Sequence, residues 1–296
     1  MTSALIPVLN GRQLTVDVAL RQPTILTNQI AALADSQLLL PQFFTSIAQK
    51  VEGGGLLFSS VKASDFFLAS DVEKRTPGSE YKFVEGVDPD PRLAKVEDWG
   101  GTYRVLEEQV IRNDASYIKQ QTVQLSNTLV RKLNDAAIKA LDANLGAENQ
   151  LIGHSWGSVI TTGPEANLTP NSGRPGADFS AAQLAADLQE LGIKHDLLVL
   201  HPNELHALKV VYGEDLDAIL KSNGFTNGTF TSPRITPGTG YAVAKGQAGS
   251  VGFEFPLTVR TYPEPGTRST IVQGFVVPAI AVERPYAVKK IVGLAG

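Results

Sequence analysis

Residues 153–157 read GHSWG, which matches the G-x-S-x-G pattern of the nucleophile elbow in serine hydrolases. In such an enzyme Ser155 would attack an acyl carbon, with a histidine as the base and a carboxylate to orient that histidine. The order serine, carboxylate, histidine does occur along this chain. The residues available for it are Asp178, Asp187, His195 and His201. Acyl transfer at Ser155 is therefore one hypothesis, and the elements around the motif must test it.

The sequence around Ser155 lacks the elements that a nucleophile elbow needs. The elbow places its serine between the end of a strand and the start of a helix. Here the polar stretch AENQ comes before the motif, and the β-branched stretch SVITT after it stops at Gly163 and Pro164. A helix is not expected there. We predict a surface loop anchored by Trp156, and a serine hydrolase is the less favoured alternative.

No other motif in the chain points to a cofactor or a metal. The four histidines have no zinc-ligand spacing, and Gly238 with Gly240 lacks the third glycine and the following helix of a dinucleotide loop. The absence of cysteine excludes disulfides, thiolate metal sites and cysteine nucleophiles. We therefore expect no catalytic residue, no cofactor and no metal ion.

The composition is that of an ordinary globular chain of 296 residues, with 43% hydrophobic and 19% charged residues. The net charge of -4 gives no long-range field to hold nucleic acid, so any contact with nucleic acid must be local. The amino-terminal sequence has no basic start followed by an apolar run, and no window is apolar enough for a membrane span. We expect neither a signal peptide nor a membrane anchor.

Residues 1–48 have short apolar patches, and we predict that they form an arm. The most apolar patch reads LLLPQFF, and Pro41 inside it argues against a long helix. This run must be buried, either in the core of its own chain or against a neighbouring chain. Its candidate contact residues are Leu38, Leu39, Leu40, Phe43 and Phe44.

Residues 49–92 are predicted to form a long hairpin with a charged tip. The strand candidates are LLFSSV, after three glycines, and YKFV at residues 81–84, with the turn pair Pro77 and Gly78 between them. An isolated hairpin is marginal in water, so this one must lie on another surface, in the same chain or in a neighbour. The candidate contact residues are the apolar Leu56, Leu57 and Phe58 and the charged Asp71, Glu73, Lys74 and Arg75.

One long helix is predicted over residues 117–145. Asp114 or Ser116 can cap its start, and Gly146 follows its end. At 1.5 Å per residue this helix would be about 44 Å long, which suits a rigid spar. Apolar or small residues recur every three or four positions, as on one face of a helix: Ile118, Thr122, Leu125, Leu129, Leu133, Ala136 and Ala140.

Shorter helices, a buried strand and a β-rich end follow. Ser180 and Gln183 match a capping box for a helix whose buried face would include Leu184 and Leu188. The pattern then predicts a strand at 197–200, helices at 203–212 and 216–220, and strands at 241–244, 252–259, 270–277 and 287–292. Helices and strands are grouped rather than alternating, which indicates an α+β fold.

This order of parts resembles the major capsid proteins of tailed bacteriophages, which have the Hong Kong 97-type fold, and most of all those of actinobacterial phages. The stretches that carry the resemblance are DVEKRTPGSEYKFVEG, AKVEDWGGTYRVLEEQVIRNDASYIKQQ, LAADLQELGIKHDLLVLHPNELHAL and FVVPAIAVERPYAVKKI. The resemblance implies an α+β fold in five parts: an N-terminal arm at 1–48, an extended loop (E-loop) at 49–92, a peripheral domain at 93–176 with the spine helix at 117–145, an axial domain at 177–254, and strands at 255–296 that return to the peripheral domain.

The resemblance also implies a function. The chain would be a major capsid protein, not an enzyme. It would assemble with itself as hexamers and pentamers into an icosahedral head around double-stranded DNA, which it contacts without sequence specificity. The implied partners are a separate scaffolding protein, a portal and a decoration protein, and the implied location is the virion capsid, after assembly in the host cytoplasm. An encapsulin-like protein compartment, which shares this fold, is the other alternative. The lysine–asparagine crosslink of some family members is not carried over, because no partner asparagine can be assigned.

Overall fold

The structure is a computed structural model that describes residues 16–35, 37–89 and 91–295. The first fifteen residues of the predicted arm lie outside the described residues. The helices are α1 (Val16–Arg21), α2 (Pro23–Asp35), α3 (Leu40–Phe43), α4 (Glu107–Ile111), α5 (Ala115–Asn144), α6 (Pro175–Asp187), α7 (Pro202–Tyr212) and α8 (Leu216–Ser222). In the described part of the chain, no helix combines the length and the apolar content that a membrane crossing requires.

The strands form two mixed sheets and one two-stranded ladder. They are β1 (Phe44–Ser46), β2 (Gly55–Ser59), β3 (Pro91–Lys95), β4 (Trp99–Leu106), β5 (Gln150–Ile152), β6 (Leu197–Leu200), β7 (Thr229–Thr231), β8 (Thr239–Val243), β9 (Gly249–Glu264), β10 (Ser269–Ala281) and β11 (Val288–Val292). The first sheet has the order β1-β9-β10-β4, and the second has the order β5-β11-β8-β6-β7. Strands β2 and β3 pair with each other, antiparallel, at the base of the extended loop.

Helix α5 packs along the first sheet, and two glycines allow it to come close. Gly101 of β4 and Gly274 of β10 lie directly opposite each other in the sheet. A Cβ atom at either position would come within 2.9 Å of a methyl carbon of Leu125. The two glycines therefore form a socket for Leu125, called the glycine socket below, and this socket allows helix and sheet to approach closely.

The carboxyl-terminal half of α5 lies in a core that both sheets share. The helix contributes Leu133, Ala137 and Leu141, all buried. Tyr241 of the second sheet reaches across, and its hydroxyl donates a hydrogen bond to Asp142 Oδ1 at 2.9 Å. The other side chains of this core from the two sheets include Leu197, Val199, Val243, Val251, Val276 and Val288. The two sheets are therefore packed together through this shared core, and a second cluster lies between the second sheet and helices α6, α7 and α8.

The described part of the arm folds back onto its own chain. Val16, Leu26 and Ile30 of α1 and α2 are buried in one cluster with side chains of α5, β4, β9 and β10. The Ser126 hydroxyl donates a hydrogen bond to the carbonyl oxygen of Ile30 at 3.3 Å, which ties α2 to α5. This part of the arm is a layer of the subunit's own fold.

The LLLPQFF run also lies inside the subunit. Pro41 stands in the first turn of α3, which is four residues long, as the proline predicted. The side chains with 0% to 4% exposure are Leu39, Leu40, Phe43 and Phe44. Leu38 is half-buried against the same core. The expectation that these four buried side chains contact a neighbour is therefore corrected, because apolar area already buried in the core is not available to another chain.

Most predicted elements are confirmed with small changes at their ends. The long helix is 30 residues long, about 45 Å, and Asp114 Oδ1 accepts a hydrogen bond from the backbone N–H of Tyr117 at its start. Helices α7 and α8 and strands β6, β8, β9, β10 and β11 lie where the sequence predicts them. Helix α7 ends at Gly213, whose φ of 56° suits glycine.

Two local predictions are wrong. Helix α6 begins at Pro175, five residues before the expected capping box, and its buried face carries Phe179, Ala182 and Ala186. Leu184 and Leu188 are instead 58% and 74% exposed. Proline suits the first turn of a helix, and this signal overrides the later serine. The stretch YKFV at residues 81–84 forms no strand, because it lies beyond the paired base of the loop.

Strand β9 runs across the boundary predicted at residue 255. Strand β9 already begins at Gly249 and runs through to Glu264 in the first sheet. Strand β11 belongs to the second sheet, where it pairs with β8 and β5. The segment 255–296 therefore returns to both sheets, and β5, which precedes residue 177, is part of the second sheet. Local pattern indicates that a segment is a strand but not which sheet receives it.

Two ionisable side chains are buried between α6 and the second sheet. Lys289 is 0% exposed, and its Nζ donates to Asn149 Oδ1 at 2.6 Å and to Gln189 Oε1 at 3.0 Å. Burial lowers the pKa of Lys289 to about 8. Burial also lowers the pKa of His195 to about 4, and the positive charge of Lys289 adds to that effect. His195 is therefore neutral in the folded chain near pH 7.

The glycine socket makes a prediction about packing. The double substitution Gly101→Ala and Gly274→Ala should lower the free energy of unfolding by about 1 to 3 kcal/mol, because both new methyl groups push Leu125 off the sheet. Urea unfolding measures this change as a lower midpoint. The control is Gly266→Ala, at a position with open space around it, which should stay within about 0.5 kcal/mol. Equal effects of the two variants would contradict the socket.

The buried histidine makes a prediction about pH. Between pH 6.5 and 4 the unfolded chain protonates His195 and the folded chain does not, so the free energy of unfolding falls by about 1 kcal/mol per pH unit as the pH is lowered. Urea unfolding from pH 7 to pH 4 measures this slope. We expect His195→Leu to flatten it and His206→Gln, at an exposed histidine, to leave it unchanged. A slope that His195→Leu does not alter would refute the assignment.

Candidate interaction surface

The GHSWG loop is a buried anchor and not a nucleophile elbow. Strand β5 ends at Ile152, and only a single 3-10 turn, Trp156–Ser158, follows. Trp156 is fully buried against Phe179 of α6, with ring centroids 5.5 Å apart. The serine hydroxyl is buried and has no hydrogen-bond partner among the described residues. The loop that the sequence predicts is therefore present, with Trp156 as its anchor.

Asp178 holds this loop to α6. Its Oδ2 accepts hydrogen bonds from the Trp156 indole N–H at 2.7 Å and from the His154 backbone N–H at 3.1 Å. Its Oδ1 lies 2.7 Å from Nδ1 of the His154 ring. The carboxylate is 3% exposed and is thus a structural acceptor for three donors. Removing it would leave buried donors without a partner.

The other residues considered for a triad lie apart from Ser155. Asp187 bonds to Lys194 and Gln183 on the α6 side. Both ring nitrogens of His195 are buried without a hydrogen-bond partner among the described residues. His201 caps α7, where its Nδ1 accepts from the backbone N–H of Asn203. The described residues therefore place no base on the Ser155 hydroxyl, and nothing in their arrangement supports acyl transfer.

The most exposed apolar surface lies on the extended loop, residues 60–89 with its flanking strands β2 and β3. Phe83 is 97% exposed, and Tyr81, Leu57 and Val72 are each 70% to 73% exposed. Large apolar side chains with this much exposure, gathered in one segment, mark an interaction surface. The remaining exposed apolar side chains of this segment are Phe66, Phe67, Leu68, Val87 and Leu93.

The loop is fixed at its base and projects beyond it. Gly53 and Gly54, with φ of 77° and 78°, make the turn into β2. The Arg92 guanidinium on β3 donates to Asn144 Oδ1 at the end of α5, at 2.6 Å. Beyond the base, the Phe66 and Tyr286 rings meet edge to face at 5.5 Å. Residues 71–89 have no regular strand and are nearly all exposed.

The predicted contact residues of the loop differ in their exposure. Leu57 is exposed, whereas Leu56 and Phe58 are half-buried. The charged tip residues are all exposed: Asp71, Glu73, Lys74 and Arg75. Two of them fold the loop onto itself, since Glu73 pairs with Lys82 at 2.9 Å and Arg75 lies over the Tyr81 ring at 4.6 Å. Exposed ion pairs of this kind contribute little to stability. These contacts within the loop therefore do not supply the burial that its apolar side chains lack.

The sequence predictions missed most of the exposed apolar side chains of the loop. Tyr81 and Phe83 were assigned to a strand, and Phe66, Phe67 and Leu68 were given no role. The sequence does indicate that these residues are exposed, because they lie in a stretch that is rich in turn residues and lacks the periodicity of a helix or a strand. An apolar residue in such a stretch has no core to enter.

The fold matches that of solved viral and phage proteins. A virus-like particle protein from Pyrococcus furiosus has a TM-score of 0.61 and 15% identity, covering 90% of this chain and 97% of that one. A phage-related protein from Bordetella bronchiseptica RB50 has a TM-score of 0.60 and 18% identity, with coverage of 92% and 97%. The capsid of Myoviridae phage XM1 has a TM-score of 0.54 and 13% identity, with coverage of 86% and 91%. These similarities confirm the Hong Kong 97-type fold that the sequence resemblance implies.

A family model described as phage capsid protein matches residues 89–291. The chain belongs to this family. A comparison with curated proteins gave no significant match. The family and the fold together identify a major capsid protein, a structural subunit of the phage capsid, and they favour this function over an encapsulin-like compartment.

The Asp178 network makes a prediction about the GHSWG loop. Asp178→Ala should lower the free energy of unfolding by about 2 to 4 kcal/mol, because the buried indole N–H and a backbone N–H lose their acceptor. Ser155→Ala is the control, since this hydroxyl bonds to nothing in the described chain, and it should change stability by less than about 1 kcal/mol. Urea unfolding followed by tryptophan fluorescence compares them. A larger cost for Ser155→Ala would overturn the structural role of the aspartate.

Proposed function

We propose that this subunit assembles with itself into an icosahedral phage head that encloses double-stranded DNA, and that the extended loop makes the main contact with a neighbouring subunit. The observation that carries this proposal is the exposure of Leu57, Val72, Tyr81 and Phe83 on one projecting segment. Membership of the phage capsid family supports self-assembly as the reason for that exposure.

The energetics favour burial of the loop on another copy. Fully burying a large apolar side chain contributes about 1.5 to 3 kcal/mol. The loop carries nine such side chains that its own subunit leaves at least 43% exposed. Each subunit of a closed shell both gives and receives this contact, so moderate contacts are multiplied by closure. Segments without regular structure also adapt to neighbours at slightly different angles, which a closed shell of many copies requires.

The parts of the fold are assigned to the parts of a capsid subunit as follows. We assign the E-loop to residues 49–95, the spine helix to α5, and the peripheral domain to the first sheet with α5. The axial domain then comprises the second sheet with α6, α7 and α8, and it would meet its copies as pentamers and hexamers. The arm, as far as it is described, remains packed on its own subunit.

Further partners are part of the proposal. A separate scaffolding protein, a portal and a decoration protein would complete the head, which would be assembled in the host cytoplasm. The subunit itself would have no enzymatic activity. The buried Ser155 hydroxyl without a base supports this statement, and a fluorophosphonate probe that labelled Ser155 in the folded protein would contradict it.

A loop variant tests the assembly contact. Leu57→Ser with Phe83→Ser should raise the subunit concentration needed for shells or capsomer rings at least tenfold, because two apolar side chains lose their burial at each contact. Sedimentation and negative-stain microscopy, with and without the neighbouring phage genes, measure assembly. The stability of the single subunit should change by less than about 0.5 kcal/mol, since both side chains are exposed in it.

The matched control is Ile111→Ser, which removes a 69% exposed apolar side chain from α4, outside both the loop and the proposed axial domain. It should assemble as the wild type does. Normal assembly of the loop variant would refute the loop contact. A wild-type chain that stays a monomer under every condition, scaffold included, would refute shell formation itself, and particles filled with protein cargo instead of DNA would support the encapsulin-like alternative.

A further inference from the structure

Strand β4 leaves one edge of the first sheet open. It is the last strand of that sheet and pairs only with β10. The backbone N–H of Glu107 donates to the carbonyl oxygen of Arg268, one step beyond the end of this antiparallel ladder. The odd-numbered residues of β4 therefore exchange their hydrogen bonds with β10, and the even-numbered residues direct their backbone N–H and C=O groups away from the sheet. These residues are Gly100, Thr102, Arg104 and Leu106.

One end of this edge is covered, and the rest is free. Gln109 Oε1 accepts the backbone N–H of Leu106 at 2.9 Å, and the Tyr117 hydroxyl donates to the carbonyl oxygen of Arg104 at 3.0 Å. Within residues 16–35, 37–89 and 91–295, the other edge groups have no hydrogen-bond partner. They are the N–H of Arg104 and the N–H and C=O groups of Thr102 and Gly100, three residues that are all exposed. An open edge of this kind is a template for a strand from another chain.

The extended loop carries a segment that suits this edge. Residues 81–84 read YKFV, and tyrosine, phenylalanine and valine favour extended β structure. In the described part of the chain these four residues form no strand and their backbone groups have no hydrogen-bond partner. Tyr81 and Phe83 are 73% and 97% exposed, and in an extended strand both side chains would lie on one face. The strand propensity of this segment is therefore unused in the isolated subunit.

Only one face of the first sheet has room for these aromatic rings beside β4. Helix α5 packs against the other face. The side chains of Thr102 and Arg104 point to the open face, since those of their odd-numbered neighbours point to α5. The Arg104 side chain is 49% exposed and pairs with Glu264 at 2.7 Å. An arginine beside an aromatic ring is a favourable contact, which places Tyr81 next to Arg104 and, in an antiparallel pair, Phe83 next to Thr102.

We propose that residues 81–84 of one subunit add as an antiparallel strand to the open edge of β4 in a neighbouring copy, so that the first sheet grows from four strands to five. Thr102 exchanges two backbone hydrogen bonds with Phe83, and the N–H of Arg104 donates to the carbonyl oxygen of Tyr81. Backbone pairing supplies affinity, and the two aromatic side chains select the register. This inference rests on the proposed function as a self-assembling shell and names the surface that receives the extended loop.

A proline substitution tests the backbone contact. The N–H of Thr102 points away from β10, so Thr102→Pro removes a donor from the open edge and leaves the ladder with β10 intact. Thr102→Val, which keeps the N–H, is the matched control. Thr102→Pro should raise the subunit concentration needed for shells or capsomer rings at least tenfold, and Thr102→Val should stay within about twofold of the wild type. Sedimentation measures assembly, and urea unfolding checks that both subunits are folded. Equal assembly of the two variants would overturn the proposal.

A disulfide crosslink tests the partner and the register independently of the proline variant. The chain has no cysteine. Phe83→Cys with Thr102→Cys places two thiols at opposite positions of the proposed ladder, about 5.5 Å apart between Cα atoms, which a disulfide can bridge. The control is Phe83→Cys with Thr258→Cys, because Thr258 lies on the same face two strands further into the sheet. Both variants are assembled under reducing conditions, at ten times the concentration that the wild type needs, and then oxidised.

Denaturing gels without reductant should show covalent oligomers for the Thr102 variant alone. Crosslinking at Thr258, alone or equally with Thr102, would show that the loop lies across the face of the sheet. Closed shells without a crosslink at either position, or with disulfides only within single chains, would remove the edge contact. Each of these results overturns strand addition and leaves shell formation intact. A wild-type chain that forms no shells under any condition would refute the proposed function itself, so the two failures are distinguishable.

Discussion

The seating of Leu125 between Gly101 and Gly274 is the contact on which the rest of the subunit depends. It brings α5 close enough to the first sheet for one half of the helix to pack with the arm and the other half to enter the core between the sheets. If the helix lay further from the sheet, the cluster with the arm and the core between the sheets would both lose contacts with it. The helix is therefore buried on more than one side in its carboxyl-terminal half, where Asn134, Ile138 and Leu141 are all covered.

Burial divides the apolar side chains of the chain into two groups with different roles. The apolar side chains of the arm, α5 and the two sheets are largely buried inside the subunit, and they include the LLLPQFF run. Nine large apolar side chains of the extended loop remain at least 43% exposed, although Phe66 among them contacts the Tyr286 ring. The surface proposed for association is accordingly not a cleft with convergent polar groups. It consists of exposed apolar side chains on a projecting segment.

The sequence predicts the elements of this fold well and their partners less well. The periodicity of residues 117–145 and the strand patterns after residue 240 identify α5 and β8 to β11, because these signals are local. The correct sheet for β11 and the burial of Phe43 and Phe44 depend on contacts between distant segments, which periodicity does not encode. Leu184 and Leu188 show the same limit, since Phe179 and Ala182 occupy the buried face of α6 instead. In the loop, the strand-like pattern of YKFV places Tyr81 and Phe83 in a strand that does not form, and the sequence gives no partner for Phe66, Phe67 and Leu68.

The chain crosses between the two sheets three times, at residues 145–149, 244–248 and 282–287, and a shared core fills the joint. Three connections and a shared core hold the two sheets together as one body. The extended loop is joined to this body by far fewer contacts, through the β2–β3 ladder and the Phe66–Tyr286 ring pair. In the proposed shell, neighbouring subunits meet at slightly different angles. The extended loops would take up these differences, and the folded body of each subunit would keep its shape.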